Sequence, residues 1–246
     1  MGNPKCSFVM GNFNKCEYLA ESITSILSSS VKDIELIIVD DCSTDYSMEV
    51  INHFAKKDKR VKVFQNEVNK GIAYTYNRAT EAVTSPIILV SASDDVYDHD
   101  RAKWAIRAFK KYDADIIYFP FVKAQERIVA GQGLVLLPFE KKFAPKFDAE
   151  LLKKVEGQFI GHGFTAYKTD VGRKVPYRND IKHGCDHHFF LDCWKAGFKF
   201  QNIEEEQFAG IYRFYIDMVS HKFRQEILAN DTQLEKEYLG ATNEKT

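Results

Sequence analysis

The sequence lacks the marks of a membrane-inserted or exported protein. In 246 residues, no apolar stretch approaches the roughly 20 residues that a membrane-spanning helix needs. The first residues, MGNPKC, contain neither the apolar core of a signal peptide nor the Ser or Thr of a myristoylation motif. The sequence therefore predicts a cytoplasmic protein, for which peripheral association with the inner face of a membrane stays open.

An excess of one charge is also missing, and so is a set of paired cysteines. The 34 Lys and Arg residues are balanced by 35 Asp and Glu residues, which argues against a nucleic-acid partner. The five cysteines are an odd number without a CxxC pair, which favours reduced thiols over a disulfide framework. With 45% apolar residues, the chain can bury the core of a single domain.

The first half of the chain alternates short apolar runs with amphipathic helical patterns. This alternation is typical of an α/β fold with a mainly parallel, Rossmann-like sheet flanked by helices. The predicted strands are residues 6–10, 34–39, 61–65, 87–90 and 115–121.

The second half is less regular. Glycines and prolines within residues 130–150 predict an irregular connection or a mobile loop. We expect a short strand near residues 164–168, a helix over about 187–196 and a strand at 199–203. A C-terminal helix and a frayed tail complete the prediction.

Polar residues follow three of the predicted strands. They are Gly11, Asn12 and Asn14 after the first strand, Asp40 and Asp41 after the second, and Asp94 and Asp95 after the fourth. Ligands of open α/β sheets bind beyond the carboxyl ends of the strands, so we expect these residues to lie side by side.

The two acidic pairs predict different chemistry. Asp41 can accept hydrogen bonds from a nucleotide base or a ribose, although turn and helix-cap chemistry is the alternative. Asp94 and Asp95 are adjacent like charges, which repel one another unless a cation neutralises them. Mn²⁺ or Mg²⁺, held by one or two carboxylates with phosphate and water, meets that need.

Four segments resemble the inverting family 2 glycosyltransferases of the GT-A fold. They are FNKCEYLAESITSIL, IIVDDCSTD, GIAYTYNRA and SASDDVY, and the resemblance extends over residues 5–121. The chain departs from the family at four places: Gly11-Asn12 replaces Pro-Thr, Cys42 replaces a glycine, Tyr76 a basic residue, and Ala92 the first acid of the acidic turn.

The resemblance implies a nucleotide-diphosphate sugar donor, UDP-linked, and a hydroxyl of a glycan or similar acceptor. It assigns Asp41 to the base, Asp94 to ribose and metal, and Asp95 to direct coordination of Mn²⁺ or Mg²⁺. The further nucleotide-binding candidates are Gly11, Asn12, Asn14, Asn66, Lys70, Asn77 and Arg213. It also implies a nucleotide-sugar half over about 5–121, an acceptor half over about 122–225, and a C-terminal helix and tail over 226–246.

An inverting transfer needs a base for the acceptor hydroxyl. The stretch IKHGCDHHFFLDCWKAGF resembles the family's segment with the acidic pair, and Cys185-Asp186 stands where Glu-Asp is usual, which makes Asp186 the candidate base. Asp186 could instead be the N-cap of the helix that follows. A second alternative is a zinc cluster of His183, Cys185, Asp186, His187 and His188, disfavoured because these ligands crowd within six positions.

The acceptor-binding candidates are His162, Gly163 and His187, the first two in a segment, GQFIGHGFTAYK, that resembles the floor of the family's acceptor pocket. A catalytically idle sugar-nucleotide-binding protein is the alternative function, suggested by Ala92 and Cys185. A nucleotidyltransferase is disfavoured because the first loop, GNFNKCEY, is not rich in glycine. A dinucleotide dehydrogenase is disfavoured because no GxGxxG follows the first strand.

Overall fold

A computed structural model describes residues 3–129, 133–153, 160–182, 184–203 and 207–214. The strands in this part of the chain are β1 (Cys6–Asn12), β2 (Ile34–Asp40), β3 (Val61–Gln65), β4 (Ile87–Ala92), β5 (Val96–Tyr97), β6 (Ile116–Tyr118), β7 (Phe121–Val129), β8 (Gly133–Lys142), β9 (Thr165–Lys168), β10 (Phe200–Asn202) and β11 (Gly210–Phe214). The helices are α1 (Cys16–Leu27), α2 (Ser47–Lys57), α3 (Ile72–Glu81), α4 (Arg101–Lys111), α5 (Ala149–Leu152), α6 (Thr169–Lys174) and α7 (Cys185–Lys195).

A seven-stranded sheet forms the centre of the molecule, in the order β10-β6-β9-β4-β1-β2-β3. Its strands are parallel except β9, which runs antiparallel between β4 and β6. The mainly parallel α/β fold predicted from the sequence is thereby confirmed. Because β9 and β10 come from the second half of the chain, that half completes the sheet that the first half begins.

Helices cover both faces of this sheet, as the apolar strands require. Side chains alternate along β1: Phe8 and Met10 pack in the core cluster that contains α1 residues, and Val9 packs in the cluster that contains α3 residues. Every residue of β1 and β2 is buried. Within the described residues, no helix is long and apolar enough to cross a membrane.

The prediction of an irregular connection or a mobile loop over residues 130–150 was wrong for residues 133–142, which form β8 and pair antiparallel with β7. Pro138 suggested a loop, but it lies on an edge strand close to a register shift at Lys123 and Ala124, where a missing N–H is tolerated. The predicted strand over 115–121 is in fact two strands, since Pro120 falls between β6 and β7.

A second sheet, in the order β5-β11-β7-β8, lies next to the acidic pair. In it, β11 pairs antiparallel with β5, which begins directly after Asp95. The pairing requires glycine at position 210, because a Cβ there would lie 2.2 Å from the carbonyl oxygen of Val96. The predicted C-terminal helix falls outside the described residues.

Candidate functional site

The carboxyl ends of three strands meet at one edge of the large sheet, as expected. Gly11 of β1 is paired with Val39 of β2 and with Ala92 of β4, and Asn12 is paired with Asp40. Gly11 and Asn12 are the last residues of β1 rather than part of the loop that follows it. The register therefore brings the two acidic pairs to opposite sides of the end of β1.

Asp40 holds the turn after β2 in place. It is fully buried, and its two carboxylate oxygens accept hydrogen bonds from the side chain of Asn12 at 2.9 Å and from the backbone N–H of Ser43 at 2.9 Å. Asn14 accepts a hydrogen bond from Thr44 N–H at 2.8 Å. Asn12 and Asn14 thus fasten the two loops to each other, and their contact with a nucleotide stays a prediction.

Asp41 performs the same task for the loop before α3. Its Oδ1 accepts hydrogen bonds from Asn66 Nδ2 at 2.7 Å and from the backbone N–H of Lys70 at 2.8 Å. Its Oδ2 accepts one from the N–H of Gly71 at 2.8 Å, which leaves this oxygen a second lone pair. Asp41 can therefore shape this loop and still accept one hydrogen bond from a ligand.

Gly11 of β1 and Asn77 of α3 each help to hold α3 in position. A Cβ on Gly11 would lie 3.1 Å from Thr75 Cγ2 and 3.2 Å from Ile72 Cδ1, so glycine lets the start of α3 approach β1. Asn77 donates to the carbonyl of Tyr177 at 2.8 Å and accepts from the N–H of Tyr177 at 2.8 Å. A role of either residue in nucleotide binding stays a prediction.

The acidic turn, which we define as residues 92–95, is partly closed to solvent. Asp95 is only 3% exposed, and its Oδ1 accepts a hydrogen bond from the backbone N–H of Arg213 at 3.0 Å. Burial and the neighbouring Asp94 raise the pKa of Asp95 well above its usual value, which Arg213 only partly offsets. Lys15 Nζ lies 3.5 Å from Asp94 Oδ2. A bound cation would stabilise the ionised forms of Asp94 and Asp95 at this turn.

The second oxygen of Asp95 faces a space that only glycine leaves open. A Cβ on Gly163 would lie 3.2 Å from Asp95 Oδ2 and 3.4 Å from Tyr97 Oη. Gly163, an acceptor-binding candidate, therefore adjoins the acidic turn. A hard carboxylate oxygen of Asp95 beside such a space, with the carboxylate of Asp94 on the adjacent residue, fits Mn²⁺ or Mg²⁺, and Asp94 and Asp95 are the residues that would hold the ion.

The zinc alternative receives no support. Within the described ranges, no three His, Cys, Asp or Glu side chains gather closely enough to hold a metal ion. Cys185, His187 and His188 are buried side chains of α7. His183 falls outside the described residues.

A buried arginine, for which the sequence pattern predicted no role, lies beneath the acidic turn. Arg101 is fully buried and donates to the carbonyl oxygens of Val90 at 2.7 Å and Thr165 at 3.1 Å. Its guanidinium carbon lies 4.6 Å from the ring centroid of Tyr97. Burial lowers the pKa of Arg101 to about 10, so the side chain stays charged at neutral pH. The only signal in the sequence was its place just after DDVYDHD.

Arg213 reaches the acidic turn from β11. The side chain is 2% exposed, and its Nε donates to the carbonyl oxygen of Asp94 at 2.8 Å. Its Nη2 donates to the carboxylate of Glu21, and the guanidinium carbon lies 4.8 Å from the ring centroid of Tyr18. These contacts are with the protein itself, and a contact between Arg213 and a nucleotide stays a prediction.

Tyr76 connects the acidic turn to the start of α7. Its hydroxyl donates to the carbonyl oxygen of Ser91 at 2.9 Å, and its ring packs edge-on against His162 with centroids 4.9 Å apart. Burial raises the pKa of Tyr76 well above its usual value, and Asp94, Cys185 and Asp95 raise it further. Tyr76 therefore lies between Ser91, which precedes the acidic turn, and His162.

Asp186 lies in the first turn of α7, so the alternative that it is the N-cap is wrong. The cap is Gly184, in the left-handed conformation at φ 77°. Burial lowers the pKa of His162, and the charge of Asp186 opposes this shift. His162 Nε2 also lies 2.8 Å from Tyr177 Oη. Asp186 thus acts electrostatically on His162, whose neighbour Gly163 adjoins the acidic turn.

His187 is 3% exposed, and burial lowers its pKa, so a role in acceptor binding would require it to become accessible. Its contact with an acceptor stays a prediction, as does that of His162.

Three comparisons place the chain among known proteins. The family model described as glycosyl transferase family 2 matches residues 7–175. An uncharacterized glycosyltransferase of Haemophilus influenzae is 28% identical over 241 residues, which cover 98% of this chain and 92% of the relative.

Solved structures share the fold. TarS 1–349 of S. aureus, in complex with UDP-GlcNAc, has a TM-score of 0.70 at 16% identity, covering 96% of this chain and 71% of that chain. The mannosyltransferase PcManGT of Pyrobaculum calidifontis, in complex with GDP-Man and Mn²⁺, has a TM-score of 0.68 at 13% identity, covering 97% and 64%.

Proposed function

The chain belongs to glycosyl transferase family 2, and we propose that it is a metal-dependent inverting glycosyltransferase of the hexosyltransferase type. The donor is a nucleotide-diphosphate sugar, UDP-linked, and the acceptor is a hydroxyl of a glycan or a similar molecule. One observation carries the proposal: the register of β1 with β2 and β4 brings Asp41, Asp94 and Asp95 to one edge of the sheet, where Gly163 adjoins Asp95 and its neighbour His162 packs against Tyr76.

Donor binding uses the strand-end loops. Asp41 offers Oδ2 to the base, and the loop that it fastens carries the Lys70 side chain, which is exposed at the same edge. Asp94 and Asp95 are the residues that would hold Mn²⁺ or Mg²⁺, and such an ion would supply positive charge to stabilise the departing diphosphate. The donors bound by TarS and PcManGT, UDP-GlcNAc and GDP-Man, support a nucleotide-sugar donor.

The oxygen of the acceptor hydroxyl attacks the anomeric carbon from the face opposite the diphosphate, and Asp186 accepts the proton of that hydroxyl. The bond from sugar to diphosphate breaks as the new glycosidic bond forms, so one displacement inverts the anomeric centre. His162 and Gly163 remain the candidates for acceptor contact, and the position of Gly163 beside Asp95 supports this role.

Asp186→Asn tests the base. We expect transfer to fall by at least about 100-fold while donor affinity stays unchanged, because general-base catalysis contributes about 10²–10⁴-fold. Asp192→Asn removes a charge from the same helix and should leave transfer intact. Full transfer by Asp186→Asn would remove Asp186 from the mechanism.

An idle sugar-nucleotide-binding protein is the second candidate. Two observations favour it: Ala92 replaces an acid in the turn, and burial raises the pKa of the Cys185 thiol, so Cys185 does not substitute for a carboxylate. Incubation with UDP-sugars and Mn²⁺ separates the two, because an enzyme of this type releases UDP slowly even without acceptor. Binding without any release of UDP would support the idle protein.

A further inference from the structure

The contacts of Arg213 suggest a role other than binding the nucleotide. We propose that Arg213 is a positioning residue: together with Glu21 it holds the acidic turn so that Asp95 keeps one oxygen for the metal ion. This inference rests on the proposed function and assigns a task to two residues, one of them on the first helix and the other near the end of the described chain.

Three donors of Arg213 are committed to the protein. Its backbone N–H binds Asp95 Oδ1 at 3.0 Å, its Nε binds the carbonyl oxygen of Asp94 at 2.8 Å, and its Nη2 binds Glu21. Because the first two contacts fall on consecutive residues of the turn, they fix both its main chain and one carboxylate. We call Arg213, Glu21 and Asp95 the clamp.

The clamp leaves one oxygen of Asp95 for a ligand. Oδ1 is taken by Arg213 N–H, whereas the described residues supply no hydrogen bond to Oδ2. Gly163 leaves room beside Oδ2, since a Cβ there would lie 3.2 Å away. Hydrogen bonds to the remaining oxygen of a ligating carboxylate orient it, and their loss commonly weakens metal binding by about 10–100-fold.

Glu21 braces the arginine from the solvent side. Its side chain is 57% exposed, whereas the Arg213 side chain is 2% exposed. Tyr18 lies under the guanidinium, one turn before Glu21 on the same helix. The chain has Ala92 where the family's turn has a third acid, so the orientation of the two remaining carboxylates depends more strongly on such support.

Glu21→Gln separates positioning from direct phosphate binding. The substitution keeps an oxygen that can accept from Arg213 but removes the negative charge, so the protein should fold with a modestly lower melting temperature. A clamp predicts Mn²⁺ affinity lowered about tenfold, measured by calorimetry without nucleotide, and an unchanged affinity for UDP without metal. Glu17→Gln, on the same helix one turn earlier, is the matched control and should bind Mn²⁺ as the wild type does.

Arg213→Lys provides the second arm. Lysine keeps the backbone N–H and a positive charge but cannot make the two side-chain hydrogen bonds at once, so Mn²⁺ affinity should again fall. Normal Mn²⁺ affinity in Glu21→Gln, together with weaker metal-free UDP binding in Arg213→Lys, would make Arg213 a phosphate ligand and overturn the clamp alone. Wild-type protein that binds neither Mn²⁺ nor UDP would instead overturn the proposed function, and the clamp with it.

Discussion

The two halves of the candidate site are built in different ways. The region around Asp41 is held by residues within about 30 positions of one another along the chain, such as Asn66 and Gly71. The acidic turn is held from farther away: Arg213 lies 118 positions from Asp95. Substitutions at the supports of the acidic turn should therefore cost more than comparable substitutions around Asp41.

Substitutions of one arginine in each region test this comparison with the largest expected effect. Arg101→Met removes hydrogen bonds to two buried carbonyl oxygens beneath the acidic turn and should lower the free energy of unfolding by about 3 kcal/mol or more. Arg78→Met, near the Asp41 loop, removes hydrogen bonds of a half-buried arginine to Gln65 and Asn66 and should cost about 1 kcal/mol. Urea unfolding measures both. Equal losses would remove the contrast between the regions.

Asp41→Asn should have the next largest effect. The amide can accept hydrogen bonds at only one of the two positions, so either Gly71 N–H or the Asn66 and Lys70 donors lose a partner. We expect a loss of about 2 kcal/mol in the free energy of unfolding. Hydrogen exchange at the amides of Lys70 and Gly71 should speed up, while the exposed control Asp113→Asn leaves it unchanged. Protection as in the wild type would show that Asp41 does not hold the loop.

Gly163→Ala tests the acidic turn with a single methyl group. The methyl would lie against Asp95 Oδ2, so Mn²⁺ affinity should fall about tenfold, equivalent to about 1.4 kcal/mol. Gly197→Ala fills open space elsewhere but sits at φ 83°, so it controls for backbone strain and should leave metal affinity intact. Unchanged Mn²⁺ affinity in Gly163→Ala would mean that Oδ2 does not face the ion.

Cys42→Gly should give the smallest effect, and a favourable one. Cys42 has φ 63°, a left-handed conformation that costs a side chain about 1 kcal/mol and costs glycine little. The free energy of unfolding should rise by up to that amount, with donor binding preserved. A loss of stability would show that the contact of the thiol with the carbonyl of Glu67 matters more than the strain.

The sequence predicted the parts of the fold that depend on local pattern. The apolar strands β1 to β4 and the position of Asp41 followed from periodicity and from the rule that ligands bind at strand ends. The pairing of β7 with β8 did not, because Pro138 and the flanking glycines are also typical of loops. A proline on an edge strand is indistinguishable in sequence from one in a turn.

The support of the acidic turn could not be predicted for a different reason. Asp94 and Asp95 were visible as a charged pair, and the resemblance assigned Arg213 to the same nucleotide site, but the sequence did not indicate that Arg213 N–H and Gly163 adjoin Asp95 itself. Both contacts depend on tertiary structure: β11 pairs with β5, and Gly163 precedes the antiparallel strand β9. Arg101 was overlooked because a charged residue at a helix start is usually solvent-exposed.

The most direct test of the central claim is the affinity for UDP with and without Mn²⁺, measured by calorimetry in wild-type protein and in Asp95→Ala. We expect Mn²⁺ to strengthen UDP binding by the wild type by tenfold or more, about 1.4 kcal/mol, and to leave binding by Asp95→Ala unchanged. Equal strengthening in both proteins would contradict the assignment of the acidic turn as the metal-diphosphate site.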